Sequence, residues 1–169
     1  MPVFAFILLG ILMLAFAGIA LFFFLLDHRD KYYRYEDDEL ISGTCFNCEF
    51  KRIGGSMNEH TTIELIYNGD STANLLYSST PYNGAKTKKK DITVPKEIVD
   101  ELRGLYRKHC IPVLADCLPR DEFALDAPTL IATFSSKNKS YSVSSEQELP
   151  EKSRGVFDEL YKLLMSYVD

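Results

Sequence analysis

Hydrophobic and polar residues follow three different patterns along this chain, and each pattern predicts a different element. Residues 3–26 form one uninterrupted uncharged run. As a helix with a rise of about 1.5 Å per residue, this run is long enough to cross a hydrocarbon core of about 30 Å. Short segments after it alternate between apolar and polar residues, as half-buried strands do, and two further segments have apolar residues at helical spacing. We therefore expect a transmembrane helix followed by an α+β domain.

Several short segments have the alternation of strands. They are 44–53, 62–67, 74–78, 92–94, 130–134 and 140–144. In the first of them, Phe46, Cys48 and Phe50 share one face. The loop Asn68-Gly69-Asp70-Ser71 contains residues that tolerate a positive φ, so it predicts a hairpin between the second and third segments. A turn near 137–139 joins the last two segments in the same way.

Two amphipathic segments each follow a hydrophobic residue and a proline. Val94-Pro95 precedes one apolar stripe and Leu149-Pro150 precedes the other. The stripes consist of Ile98, Val99, Leu102, Leu105 and Tyr106, and of Val156, Phe157, Leu160, Leu163, Leu164 and Tyr167. Proline fits the first turn of a helix, where its missing N–H costs nothing. Because the order of hairpin, hydrophobe-proline and helix occurs twice, we expect a two-layer sandwich with an antiparallel sheet of four to six strands and two helices on one face.

The remaining segments set the predicted domain boundaries. Residues 1–27 are the anchor, residues 28–43 a charged juxtamembrane linker, and residues 44–169 a single α+β domain. The acidic run 36–39 has the composition of a solvated spacer. Segment 112–128 contains three prolines and scattered apolar residues, and it is either a long ordered loop or a short helix.

Three local features resemble the uncharacterised membrane-anchored or lipoprotein domains of Gram-positive bacteria. They are Gly54-Gly55-Ser56-Met57 before the first hairpin, the extended stretch 126–130, and Leu149-Pro150 ahead of the last helix. The resemblance covers about two thirds of the chain. Because that group has no assigned activity, the resemblance implies a tethered α+β architecture in a bacterial protein and no particular function.

Two alternatives concern the run 3–26 and the side of the membrane on which the domain lies. Ala15-Phe16-Ala17 has the form of a signal-peptide cleavage site, but no basic residue precedes the run and the run exceeds the usual ~7–15 residues of a signal. We therefore expect a retained single-pass anchor. Arg29, Lys31 and Arg34 follow the run, so the positive-inside rule favours a cytoplasmic domain, with an extracytoplasmic domain as the alternative.

The charge distribution limits the classes of partner. The net charge of −5 gives no reason to expect nucleic acid. Four lysines, Lys86, Lys88, Lys89 and Lys90, lie in a segment expected to form a loop. In a cytoplasmic domain they could contact anionic lipid at about 1 kcal/mol each. The other interpretation is that they keep an exposed loop soluble.

The four cysteines, Cys45, Cys48, Cys110 and Cys117, are the candidates for thiol-based metal or redox chemistry. Two pairs could supply tetrahedral Zn²⁺, but the second gap is too long for a zinc knuckle. In a strand, the first two cysteines point to opposite faces. Segment 49–55 does not predict the helix that a thioredoxin-type centre needs. We expect no metal site; disulfides would become plausible if the domain were exported.

No catalytic residue is predicted, because none of the three histidines has a partner spacing that builds a catalytic triad and no nucleotide-binding or hydrolase motif is present. His109 is expected to interact with a helix C-terminus. We expect a membrane-tethered, non-catalytic interaction or ligand-sensing domain without a cofactor. Its partner would contact the sheet face that carries Thr62, Glu64 and Asn74. The alternative is a thiol-based metal-binding or redox domain that uses the two cysteine pairs.

Overall fold

The computed structural model describes Gly18 and residues 38–54, 59–81, 86–119 and 127–168. The chain divides into two compact units, Met1–Tyr33 and Arg34–Asp169, and the elements reported below belong to the second. Apart from Gly18, the predicted anchor lies outside the described residues. Among the residues that are described, none of the helices has both the length and the hydropathy needed to cross a bilayer.

In the described part of the chain, six strands form one antiparallel sheet in the order β4-β3-β2-β1-β5-β6. The strands are β1 (Phe46–Ile53), β2 (Glu59–Tyr67), β3 (Thr72–Pro81), β4 (Lys88–Pro95), β5 (Thr129–Ser135) and β6 (Ser140–Ser144). Gly69 has φ +92° in the turn between β2 and β3, a conformation that glycine adopts without strain. The predicted α+β class and its antiparallel sheet of four to six strands are confirmed.

The helices of the described residues include two long amphipathic ones at the predicted places. They are α1 (Glu39–Ser42), α2 (Glu97–Lys108), α3 (Ile111–Ala115) and α4 (Val156–Met165), and a 3₁₀ turn (Glu151–Ser153) precedes α4. The prediction that Pro95 lies in the first turn of a helix was wrong, because Pro95 is the last residue of β4. Proline is tolerated there because β4 is an edge strand, where a missing N–H need not break the sheet.

The hydrophobic core lies between the helices and one face of the sheet. Alternate strand residues face the helices, and Phe46, Cys48 and Phe50 of β1 are buried in this way. The ring of Tyr106 in α2 packs 5.6 Å from the ring of Phe134 in β5. The ring of Tyr161 in α4 packs 5.5 Å from that of Phe50. Both long helices therefore contact the same sheet face.

Residues before position 44 pack against the sheet and helices. Asp38 is only 1 % exposed, and its carboxyl group accepts a 3.0 Å hydrogen bond from the backbone N–H of Leu40 and a 2.6 Å bond from the Tyr106 hydroxyl. Arg103 donates to the carbonyl oxygens of Leu40 and Gly43. The prediction of a solvated spacer was wrong at Asp38, because this residue caps α1 and accepts from a buried tyrosine.

Candidate interaction surface

The second face of the sheet carries side chains that are half-buried or exposed, and none of them is buried. We call this surface the open face. It consists of Asn47, Glu49 and Lys51 of β1, His60, Thr62, Glu64 and Ile66 of β2, Asn74, Leu76 and Ser78 of β3, Lys89, Asp91 and Thr93 of β4, Ile131, Thr133 and Ser135 of β5, and Ser140, Ser142 and Ser144 of β6. The predicted contact residues Thr62, Glu64 and Asn74 belong to it.

The strand register aligns the open-face side chains in rows that run across all six strands. One row, the acidic row, contains Asp91, Leu76, Glu64, Glu49, Thr133 and Ser142 from β4 to β6. The adjacent row, the lysine row, contains Lys89, Ser78, Thr62, Lys51, Ile131 and Ser144. Residues two apart on one strand point to the same face. Each strand therefore contributes neighbouring members to the two rows.

Two glutamates stand directly opposite each other at the centre of the acidic row. Glu49 of β1 pairs in register with Glu64 of β2, and like charges in such cross-strand positions destabilise a sheet by roughly 0.2–1 kcal/mol. Lys51 lies 2.8 Å from Glu49 and neutralises that carboxylate. Among the described residues no cation forms an ion pair with Glu64. Within the described ranges, Glu64 is thus a half-buried carboxylate without an ion-pair partner.

Among the described residues, the open face carries no phenylalanine or tyrosine side chain, and its one imidazole is that of His60, an exposed residue of β2 in register with Thr80. The phenylalanine and tyrosine residues of the strands, among them Phe46, Tyr67 and Phe134, belong to the alternate positions that face the helices. Proteins that bind single-stranded nucleic acid stack the bases on exposed aromatic rings. The open face offers no such platform. Hydroxyl, amide, carboxylate and ammonium groups dominate it, and these are suited to hydrogen bonds and ion pairs with protein.

The four lysines of the predicted basic loop lie in or just before an edge strand. Lys88, Lys89 and Lys90 belong to β4, whose register with β3 is continuous, so the prediction of a loop was wrong for these three. Lys90 Nζ donates to the carbonyl oxygen of Val168 at 2.6 Å, whereas Lys89 belongs to the open face. Lysines on an edge strand hinder pairing with another sheet edge. Contact of Lys86, Lys88, Lys89 and Lys90 with anionic lipid stays a prediction.

The four cysteines occupy unlike environments. Cys48 is completely buried in β1, and burial raises the pKa of its thiol well above the usual range, with a smaller contribution from the charge of Glu49. A thiol that remains protonated is a poor metal ligand and nucleophile. Cys45 and Cys117 are half-buried, Cys110 is buried, and none of the four forms a disulfide with another of them. No group of three or more metal-ligating side chains occurs within the described ranges.

Two small pockets lie in the described part of the domain. One is a cavity of about 220 Å³ lined by residues that include Phe50, Arg52 and Tyr161. The other, of about 200 Å³, is lined by residues that include Glu39, Cys45 and Asn138. Pockets that enclose drug-sized ligands usually measure ~300–1,000 Å³. Each of these two pockets is therefore too small to enclose a drug-sized ligand.

Comparison with known proteins does not assign a function. The chain matches no protein-family model, and no curated protein matches it. Function must therefore be inferred from the geometry of the domain. The sequence reasoning identified Thr62, Glu64 and Asn74 but missed Glu49 and Lys51. The alternation of 44–53 already contained that signal, since Glu49 and Lys51 occupy the positions between the buried residues of β1.

A second charged cluster joins α2 to α4, away from the open face. His109 is the C-cap of α2, as predicted, and it is 3 % exposed. Its Nε2 atom lies 3.2 Å from Glu159 Oε2, and Lys108 Nζ lies 2.7 and 2.8 Å from the two carboxylate oxygens. The hydrogen bond from Lys108 lowers the pKa of Glu159, with a further lowering by His109. The cluster fastens the end of α2 to α4.

Replacing Glu159 by glutamine is expected to destabilise the domain at neutral pH and to have little effect in acid. The folded-state pKa of Glu159 is depressed, so its contribution is present above the unfolded pKa and is lost as the pH falls through the folded pKa. Because the side chain is 38 % exposed, we expect a loss of about 0.2–1 kcal/mol. Urea unfolding of residues 34–169 at pH 7 and near pH 3 measures the difference. An equal loss of unfolding free energy at both pH values would show that the ionised carboxylate of Glu159 does not stabilise the domain.

Proposed function

We propose that this chain is a membrane-tethered, non-catalytic interaction module that binds a protein partner through the open face. The main support for this proposal is the Glu64 carboxylate. It has no ion-pair partner among the described residues, and it lies opposite Glu49 at the centre of the sheet. Lys51 offsets the charge of Glu49, so the free domain bears only part of the cost of this like-charge pair. A partner that brings a lysine or arginine close to Glu49 and Glu64 lowers this cost further and gains a charge-assisted hydrogen bond.

The tether belongs to the same proposal. The uncharged run 3–26 supports a retained transmembrane helix, and the basic residues after it support a cytoplasmic domain. No observation in the described residues favours the thiol or metal alternative. The burial of Cys48 and the lack of a metal-ligating cluster within those ranges leave it without support.

Labelling of the cysteines in intact cells tests the side of the membrane. Cys45 and Cys117 are half-buried and are therefore the thiols that a reagent reaches first. With a membrane-impermeant maleimide, we expect both to be protected in intact cells and labelled after lysis. Labelling before lysis would place the domain outside and would favour the extracytoplasmic alternative.

Replacing Glu64 by lysine is expected to abolish partner binding. The change puts a cation next to the place where the partner's cation approaches the two glutamates, and juxtaposed like charges cost several kcal/mol. The measurement is quantitative capture on tagged full-length chain from detergent-solubilised membranes. Glu101→Lys, on the exposed surface of α2, is the matched control with the same change of charge.

We expect proteins captured by the wild-type chain and by Glu101→Lys to be lost with Glu64→Lys. If the three chains captured the same proteins, or if none captured either another protein or a second copy of this chain reproducibly, the open face would not be the binding surface.

A further inference from the structure

We propose that the partner of the open face is a second copy of this chain, packed face to face about a twofold axis that runs across the strands. The proposal rests on the proposed function and names its partner. It is carried by the arrangement of charges in the acidic and lysine rows, which are neighbours throughout the sheet.

A twofold axis along the line between the two rows exchanges them. Each strand then lies over the same strand of the other copy, and its acidic-row residue faces the lysine-row residue of its counterpart. Glu49 faces Lys51 and Asp91 faces Lys89, in both directions. Glu64 faces Thr62, whose hydroxyl can donate to the carboxylate. The open face is thus complementary in charge to itself, as an isologous interface requires.

The relief of the central glutamate pair follows from the same geometry. In a single copy, Lys51 lies beside Glu49 while Glu64 has no cation. In the pair, Lys51 of the other copy approaches Glu49 and so lies near both glutamates, while Glu64 itself faces Thr62. Association therefore lowers the electrostatic cost that the isolated sheet bears.

Shape and area are compatible with this packing. Rotation about a line that crosses the strands maps a twisted sheet surface onto itself, and sheets pack face to face at a spacing of ~10 Å. Six strands at about 4.8 Å, over some seven residues each, give roughly 600 Å² per copy, so about 1,200 Å² in total. This area is at the lower limit for specific complexes, and two chains held in one membrane meet at a raised effective concentration.

Complementary charge variants of the full-length chain in detergent micelles test the proposal. An acid-reversed chain carries Glu49→Lys and Asp91→Lys, and a lysine-reversed chain carries Lys51→Glu and Lys89→Glu. Self-association is measured by energy transfer between two fluorescent labels. We expect each variant alone to associate at least about tenfold more weakly than wild type, and an equimolar mixture of the two to associate as wild type does.

A chain with all four substitutions controls for folding. Its facing pairs are opposite in charge again, so we expect its self-association to return to the wild-type level. No recovery in the mixture or in the fourfold variant would overturn the proposal. A wild-type chain that stays monomeric, while Glu64→Lys still abolishes capture of a different protein, would overturn the second copy as partner and leave the proposed function intact. If the wild-type chain stays monomeric and Glu64→Lys does not change the capture of any protein, both the second copy as partner and the proposed function are wrong.

Discussion

Replacing Asp38 by alanine is expected to lower the free energy of unfolding of the domain by about 2–4 kcal/mol. The substitution removes the cap of α1, because Asp38 accepts from the backbone N–H of Leu40. It also leaves the hydroxyl of Tyr106, a fully buried residue, without its acceptor at 2.6 Å. Loss of a cap costs about 1 kcal/mol, and loss of the buried hydrogen bond between Tyr106 and the Asp38 carboxyl group costs roughly a further 1–3 kcal/mol.

Further contacts hold α1 to the rest of the domain near Asp38, so the expected effect is larger than that of one hydrogen bond. Arg103 bonds the carbonyl oxygens of Leu40 and Gly43, and its guanidinium lies 5.4 Å from the centroid of the Phe46 ring. Gly43 packs against the Glu39 carbonyl oxygen, where a Cβ atom would clash. Movement of α1 would disturb all of these contacts together.

Urea unfolding of residues 34–169 measures the Asp38 effect. Asp38→Asn keeps an acceptor oxygen, so we expect it to lose less than half as much as Asp38→Ala. Tyr106→Phe removes the hydroxyl group that donates to Asp38. In the double variant with Asp38→Ala, we therefore expect the loss of unfolding free energy to be smaller than the sum of the two single losses. Glu101→Ala, at an exposed position of α2, is the control. A loss below 0.5 kcal/mol for Asp38→Ala, about the size of an ordinary surface effect, would show that α1 does not belong to the folded unit.

Deleting residues 3–26 is expected to move the chain completely from the membrane fraction to the soluble fraction. Leucine, isoleucine, phenylalanine and valine dominate this run, and at −0.3 to −0.6 kcal/mol each they favour insertion by about 5–10 kcal/mol. The measurement is alkaline extraction of membranes followed by detection of the chain. A leucine–alanine run of equal length is the matched control and should restore retention, because hydropathy and length determine insertion.

Retention of the deleted chain after alkaline extraction would show that another part of the protein holds it in the bilayer. Soluble full-length protein, or a soluble form that begins after Ala17, would show instead that the run is not a permanent anchor.

The elements with strong periodicity could be predicted from sequence, and those that depend on tertiary contacts could not. The alternation in 62–67 and 74–78 and the turn at Asn68-Gly69 predicted β2, β3 and their connection, because period-two burial and a positive φ are local properties. The stripes of α2 and α4 are local as well.

Two wrong predictions show where tertiary contacts outweigh the local sequence in determining structure. Lys88, Lys89 and Lys90 have low strand propensity, yet they extend β4, since pairing with β3 outweighs propensity at an edge. The acidic composition of 36–39 predicted a solvated segment and gave no indication that Asp38 is buried. Its burial depends on a hydrogen bond from a tyrosine 68 positions away. An aspartate before Glu39-Leu40-Ile41 was the one local sign of a helix cap.

The open face was partly predictable. Any half-buried strand assigns its polar positions to one side, and this placed Thr62, Glu64 and Asn74 together. The opposition of Glu49 and Glu64 required the register between β1 and β2. Register depends on the partner strand as well as on the turn, so the charge rows were beyond sequence reasoning.

Site-specific photo-crosslinking of the full-length chain in its native membranes tests the central claim most directly. A photoreactive residue is placed at Thr62 or Asn74 on the open face, and at Glu101 or Lys162 on the exposed surfaces of α2 and α4. We predict a crosslinked protein species at the two sheet positions and none at the two helix positions. Crosslinks at the helix positions, with none at Thr62 or Asn74, would contradict a binding module that works through the open face.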